Sequence, residues 1–551
     1  MKLHIAYLPV LVFSVIQTGL GTLEGQEKID HIRDLQNAAI EAKSVDWGHW
    51  GVDPGNYTQW GTHSSRLIPV YTFGTKDAGA NIDLRDYTGK NSLFREPEHI
   101  ETVFGHIPEA TFNPDAVYCD QTDIGRIQRS ALEAGKKHIF LIVFDGMDWQ
   151  TTRAAAIVKN QKVDYEKGRG HGLFFQDYQA EGTSQYGYMV TVPKIGSVKT
   201  NTKKQTAVPG EMPDWGGYDA RLGGAAPWEA PLDIQYLIGK SSVLKQPYPD
   251  SAGTATSMTT GIKTYNGAIG VGVEGNQLRL IAHLAQDMGY KVGAVSSVPI
   301  SHATPAAAYA HNVSRNDYHE IARDLIGLPS VSHPDSPLVG LDVVLGGGVG
   351  EMPDRIEGSA IESFLGSKYI AAEDLKAVSK ENGGPYQVVV RSPGVDGKPA
   401  LEQAVKQALE NDDRLLGVFG VEEYSGHLPF QTADGNYNPA KGRKSEAEKY
   451  TAEEVRENPT LADMTAAALE VLSQKESKFW LMVEAGDVDW ANHDNNLDNS
   501  IGAVYSGDDA FRVVVKWVEA NSNWEESLVI LTADHGHYLF LNDPSALIKG
   551  K

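Results

Sequence analysis

The run Ile139-Phe140-Leu141-Ile142-Val143-Phe144, followed at once by Asp145-Gly146, decides how this chain is read. Six apolar residues, β-branched and aromatic among them, end abruptly at a turn pair. That is the pattern of a strand buried on both faces. Three more runs share it, at 292–295, 479–483 and 528–531, with helical stretches such as 277–289 and 460–474 between them. Strands alternating with helices predict an α/β fold: a large central, mostly parallel sheet sandwiched by helices.

Residues 28–43 carry Ile29, Ile32, Leu35, Ala39 and Ile40 at helical spacing, and 46–65 reads as a loop. Residues 66–73 read as a strand, with Pro69 favouring an edge position. The more polar segments 160–245 and 350–455 read as insertions into the core rather than independent domains. Three divisions result: 1–24 as a signal peptide, 25–137 as an N-terminal segment lending an edge strand and a metal ligand to the core, and 138–551 as the core with its two insertions.

Each buried run delivers polar residues at its end. Asp145 follows the first; Ser296 and then Ser301-His302-Ala303-Thr304 follow the second; Glu484, Asp489 and His493 follow the third; Asp534-His535 follow the fourth. Ligands of open α/β sheets bind beyond the carboxyl ends of the strands, so four distant segments should converge. Carboxylates and imidazoles without thiols suit zinc, and a carboxylate with a hydroxyl suits magnesium. The sharpest local signal is Asp250-Ser251-Ala252-Gly253-Thr254-Ala255-Thr256. Ser251 is read as opening a helix, where the dipole and free N–H groups favour negative charge on a serine oxygen or a bound phosphate. The small residues after it would let that helix pack closely on the sheet.

Composition narrows the function. The chain has 551 residues with 49 basic and 72 acidic side chains, a net charge of −23, which argues against binding nucleic acid. An anionic substrate would then need bound metal to reverse the local sign. The single cysteine, Cys119, excludes an intrachain disulfide and thiolate-rich zinc sites. The apolar run 5–16 is too short to span a bilayer and fits a signal-peptide core, which implies a periplasmic or extracellular protein with no membrane segment after cleavage.

The motifs FDGM (144–147), PDSAGTAT (249–256), TGIKTYNGAIGV (260–271), HATPAAAYAHNVSR (302–315), DVVLGGG (342–348), VEAGDVDWANH (483–493) and LTADHGH (531–537) together resemble the alkaline phosphatase family, in family order across 130–540. The resemblance implies hydrolysis of small phosphate monoesters through a phosphoserine at Ser251, with two Zn2+ and one Mg2+. It implies that Asp145 bridges one zinc and the magnesium, that Thr304 and Glu484 complete the magnesium site, and that Asp534 and His535 bind the zinc nearest Ser251. Asp489 and His493 would bind the other zinc, and Arg315 would hold two phosphate oxygens. The family is often dimeric, and a homodimer is compatible with the sequence.

Two departures stand out. His302 and Trp490 occupy positions that vary within the family and tune the magnesium region. The family's last zinc ligand, a histidine downstream of TADH, has no counterpart among residues 538–551. The segment 62–74 resembles the missing piece, so the expectation is a circular permutant with His63 as third ligand and its strand antiparallel to its neighbours. His49, His106 and His537 are the alternatives. Rival functions are a phosphodiesterase or sulfatase relative, and a non-catalytic phosphate- or metal-binding protein.

Overall fold

The computed structural model describes residues 30–196, 198–210, 216–350, 359–443 and 446–550. The signal peptide expected at 1–24 lies outside the described residues. Fourteen strands are present in the described residues: β1 Gly48–Trp50, β2 Ile68–Phe73, β3 Cys119–Asp120, β4 His138–Phe144, β5 Gln185–Val190, β6 Val198–Asn201, β7 Thr206–Pro209, β8 Lys291–Pro299, β9 Val343–Gly347, β10 Tyr386–Val390, β11 Arg414–Val418, β12 Phe479–Ala485, β13 Ser527–Thr532 and β14 Leu539–Leu541. Ten of them form one sheet in the order β10-β11-β9-β8-β12-β4-β13-β2-β5-β3.

The four apolar runs are β4, β8, β12 and β13, adjacent at the centre of the sheet and parallel to one another. Every residue of β4, β12 and β13 is buried, because helices cover both faces and leave no polar side to alternate with. Each fully buried Leu, Ile, Val or Phe in these strands contributes about 1.5–3 kcal/mol. The indole of Trp480 finds a buried partner, donating to Gln128 Oε1 at 2.9 Å.

Only β2 runs against the rest: it is antiparallel to both β13 and β5. It is not the edge strand that Pro69 suggested, since β13 and β5 enclose it. Pro69 is tolerated because backbone pairing with β13 ends at Val70↔Thr532, and the Pro69 carbonyl is taken up by the Thr532 hydroxyl at 2.8 Å. The loop expected at 46–65 contains β1, which pairs with β14. Both segments read as insertions feed the same sheet: β5 comes from 160–245, and β10 and β11 from 350–455.

The helix Ser251–Thr260 packs chiefly against the helices Gln121–Glu133 and Ala303–Ala306 rather than on the sheet. Small residues are needed at that crossing: a Cβ on Gly125 would sit 2.5 Å from the Gly261 nitrogen.

Candidate active site

Ser251 is the first residue of its helix, with Asp250 as cap accepting from the Gly253 N–H at 3.0 Å. The Ser251 hydroxyl lies 3.2 Å from His535 Nε2 and 3.4 Å from Asp145 Oδ1. Asp145 follows β4 and Asp534 follows β13, so parallel pairing of those strands brings both carboxylates to one sheet edge. His535 Nε2 lies 3.3 Å from Asp145 Oδ1 and 3.5 Å from Asp534 Oδ2. On the other side of Asp145, Thr304 donates to Oδ2 at 3.4 Å. Glu484, in β12, accepts from Ser296 and keeps Oε1 buried without a partner.

A second group adjoins the first. His63 Nε2 lies 3.4 Å from Asp489 Oδ1, and His493 Nε2 lies 3.5 Å from Asp489 Oδ2. The two imidazoles face each other, Nε2 to Nε2, at 3.1 Å. His63 is held there by the adjacent bridge between Ser64 and Gly536, in which the Ser64 N–H donates to the Gly536 carbonyl at 2.7 Å. Arg66 anchors the same segment, donating to the Leu539 carbonyl at 2.7 Å and to Asp148 Oδ2 at 3.2 Å, all buried.

Arg315 pairs with Asp250 Oδ2 at 3.0 Å, so the residue that caps the serine helix also orients the guanidinium. His302 stands 3.5 Å from an Arg315 nitrogen and edge-on to Trp490, outside the tight donor clusters, with Nδ1 buried and unpartnered. Of the alternatives to His63, His49 stacks on Phe540, and His106 contacts the Phe104 carbonyl at 3.3 Å. His537 does enter the cluster, at 2.5 Å from Asp489 Oδ1.

The family model for alkaline phosphatase matches residues 235–547, more than half of the chain. The chain belongs to the alkaline phosphatase family. It is 30% identical over 289 residues to alkaline phosphatase 4 of Bacillus subtilis, which covers 52% of this chain and 49% of that protein. It is 31% identical over 307 residues to the alkaline phosphatase of Escherichia fergusonii, covering 55% and 61% respectively. The chain thus spans about half to three fifths of the length of the curated alkaline phosphatases it matches. A solved cold-active alkaline phosphatase from a Shewanella species is 21% identical, covering 73% of this chain and 68% of that one, with a TM-score of 0.40.

The candidate site is dense in buried charge. Asp145, Glu484, Asp489 and Asp534 are all buried. Burial first, then repulsion from Asp489, Asp534 and Glu484, raises the Asp145 carboxyl far above its usual range. Burial likewise pushes Glu484 up to about 8. The imidazoles of His493, His535 and His537 are all driven downward by burial, His537 to about 3, which leaves them neutral with a lone pair to offer.

These residues fit divalent metals. In a tetrahedral zinc site with bonds near 2.0–2.1 Å, neighbouring donor atoms lie about 3.3 Å apart. His535 to Asp145 and Asp534, Asp489 to His63 and His493, and His63 to His493 lie between 3.1 and 3.5 Å, whereas His537 Nε2 sits closer, at 2.5 Å from Asp489 Oδ1. The His63 and His493 rings make the point directly. His63 Nδ1 contacts the Pro249 carbonyl and His493 Nδ1 the Gly61 carbonyl, both at 2.8 Å, so each Nδ1 carries its proton. The two Nε2 atoms therefore face each other, and with both rings neutral their lone pairs converge on a point where a cation fits.

Three residues within the quoted stretches had no role read from the sequence. Ser296 holds Glu484, Asp250 holds Arg315, and Thr254 donates to Asp534 Oδ2 at 3.1 Å. The periodicity of the serine helix, one turn from Ser251 to Thr254, was the available clue to the last.

Proposed function

We propose that this chain hydrolyses phosphate monoesters through a phosphoserine at Ser251, releasing inorganic phosphate. The observation that carries the reading is the Ser251 hydroxyl itself. It sits at a helix N-terminus, within 3.4 Å of both His535 and Asp145, beside an arginine braced by the helix-capping aspartate. Bound at the two donor groups, divalent metals would supply Lewis-acid stabilisation of the attacking and leaving oxygens.

The chain's own residues do the rest. Ser251 attacks phosphorus in line; the bond to the ester oxygen breaks and the alcohol leaves. Arg315 grips non-bridging oxygens of the phosphoryl group with two parallel N–H donors, and the free N–H groups of the serine helix face the same charge. A monoester offers three non-bridging oxygens and a diester two, so a site in which Arg315 and the metal-holding groups together engage all three favours monoesters. Water then cleaves the phosphoserine and Ser251 recovers its proton.

In this reading Asp145, Asp534 and His535 hold one zinc, and Asp489, His493 and His63 hold the second. Asp145, Thr304 and Glu484 hold a magnesium, with His302 at its margin. Supplying His63 from the front of the chain is a circular permutation, supported by the reversed direction of β2 beside β13. Among the described residues no helix is long and apolar enough to cross a membrane, which is compatible with a periplasmic or extracellular enzyme.

Multiple-turnover release of p-nitrophenol from p-nitrophenyl phosphate tests the reading, before and after EDTA and after zinc and magnesium are restored. Activity that vanishes and returns supports it; no turnover with both metals restored would sink it.

A further inference from the structure

A second cluster of metal-donor side chains lies apart from the serine site. The donor atoms of His311, Asp324 and His333 all fall within 4.8 Å of one another. His311 Nδ1 faces His333 Nε2 at 2.9 Å, and His333 Nε2 lies 3.8 Å from Asp324 Oδ2.

Each donor is fixed in orientation. His311 Nε2 lies 2.7 Å from the Leu278 carbonyl, so that nitrogen bears the proton and Nδ1 presents its lone pair to the cluster. Asp324 is fully buried, with Oδ1 accepting from the Ser330 hydroxyl at 2.5 Å and Oδ2 from the His311 N–H at 2.9 Å. Its one ion-pair partner among the described residues is His333. The loop carrying His333 is tied down on both sides: Ser332 donates to the His311 carbonyl at 2.6 Å, and the His333 N–H to Ser330 Oγ at 3.1 Å. The His333 side chain is 12% exposed, so the cluster lies next to the surface on that side.

We propose that His311, Asp324 and His333 form a further site for a divalent transition metal of the zinc class, with a fourth position open to solvent. Two imidazoles and one carboxylate suit zinc and disfavour calcium and magnesium, which prefer all-oxygen shells. The metal would fasten the 328–338 loop to the segment 309–315, which ends in Arg315. That segment is otherwise held by the Ile269–Asn312 bridge and by the Arg315 N–H bond to the Gly267 carbonyl. The competing account is a plain hydrogen bond from His333 Nε2–H to His311 Nδ1, with no ion.

The test compares zinc bound per chain, by mass spectrometry after zinc loading and desalting, in the full-length protein and in His333→Ala and Asp324→Asn. Both variants should hold one equivalent fewer than the parent, and added zinc should raise their Tm less. His333 stands on a loop with its side chain 12% exposed and outside the hydrophobic core, so its truncation leaves that core intact. Equal zinc content in the parent and His333→Ala would overturn the proposal and leave the hydrogen bond as the whole explanation. Loss of the serine-site metals instead would register separately, in p-nitrophenyl phosphate turnover.

Discussion

His63 and His493 meet Nε2 to Nε2 at 3.1 Å across 430 positions of sequence, each with its other ring nitrogen committed to a backbone carbonyl. His537 also touches Asp489, through the oxygen nearest His63. In the proposed reading His63 is a zinc ligand and His537 orients Asp489, so the two have separable roles. His63→Ala removes a direct donor and should lower zinc affinity by more than about 100-fold, the upper end of what removing an orienting partner costs. His537→Ala removes a residue that orients Asp489 and should cost about 10- to 100-fold. Competitive zinc titration against a fluorescent chelator ranks the two, and the reverse ranking would make His537 the ligand.

Ser251→Ala deletes the proposed nucleophile without enlarging any cavity by more than one oxygen. Turnover should fall by roughly 10³-fold or more while Tm stays near the parent value. The phosphorylated intermediate, trapped by acid quench from labelled substrate, should vanish with it.

In the proposed reading Arg315→Ala removes charge-assisted hydrogen bonding to substrate, worth about 1.5–3 kcal/mol per bond. KM for p-nitrophenyl phosphate should rise about 10- to 100-fold. Asp250→Asn frees the guanidinium from its carboxylate brace while keeping the oxygen that caps the helix, so it should move KM in the same direction by less, and inhibition by phosphate should weaken in parallel.

Asp498 predicts a pH effect on stability away from the site. It is buried, accepts from the Ala433 N–H at 3.0 Å through Oδ1, and leaves Oδ2 without a partner. Burial first, with Asp30 and Asp434 adding repulsion, pushes its carboxyl up to about 7. The unfolded chain releases that proton near 3.9. Between those values unfolding releases a proton, so this group makes stability fall as pH rises, with the penalty complete above about 7. Asp498→Asn keeps the acceptor and cannot ionise. Urea midpoints at pH 5 and pH 8 should differ less in the variant than in the parent.

The four central strands, the helix opening at Ser251 and the acidic or imidazole residues at the strand ends were legible from the sequence alone. A buried parallel strand must be apolar throughout, and a helix that abuts another closely must be small along one side, so both leave marks in one dimension. The alkaline phosphatase motifs, each a short run around a strand end, ordered those marks. The surroundings of β2 were not legible, because its neighbour β5 (Gln185–Val190) has half-exposed polar and aromatic residues that do not read as sheet core. Nor could spacing reveal that Asp250 braces Arg315 or that Ser296 holds Glu484, since those bonds join segments 65 and 188 positions apart. The sequence determined which residue types were available and which strands are buried. Tertiary structure decided which nitrogen of His63 faces His493 and whether His537 stands beside Asp489. Ring orientation is set by the carbonyls of Pro249 and Gly61, and Gly61 and His63 lie in the segment that leads into β2, which packs antiparallel against β13.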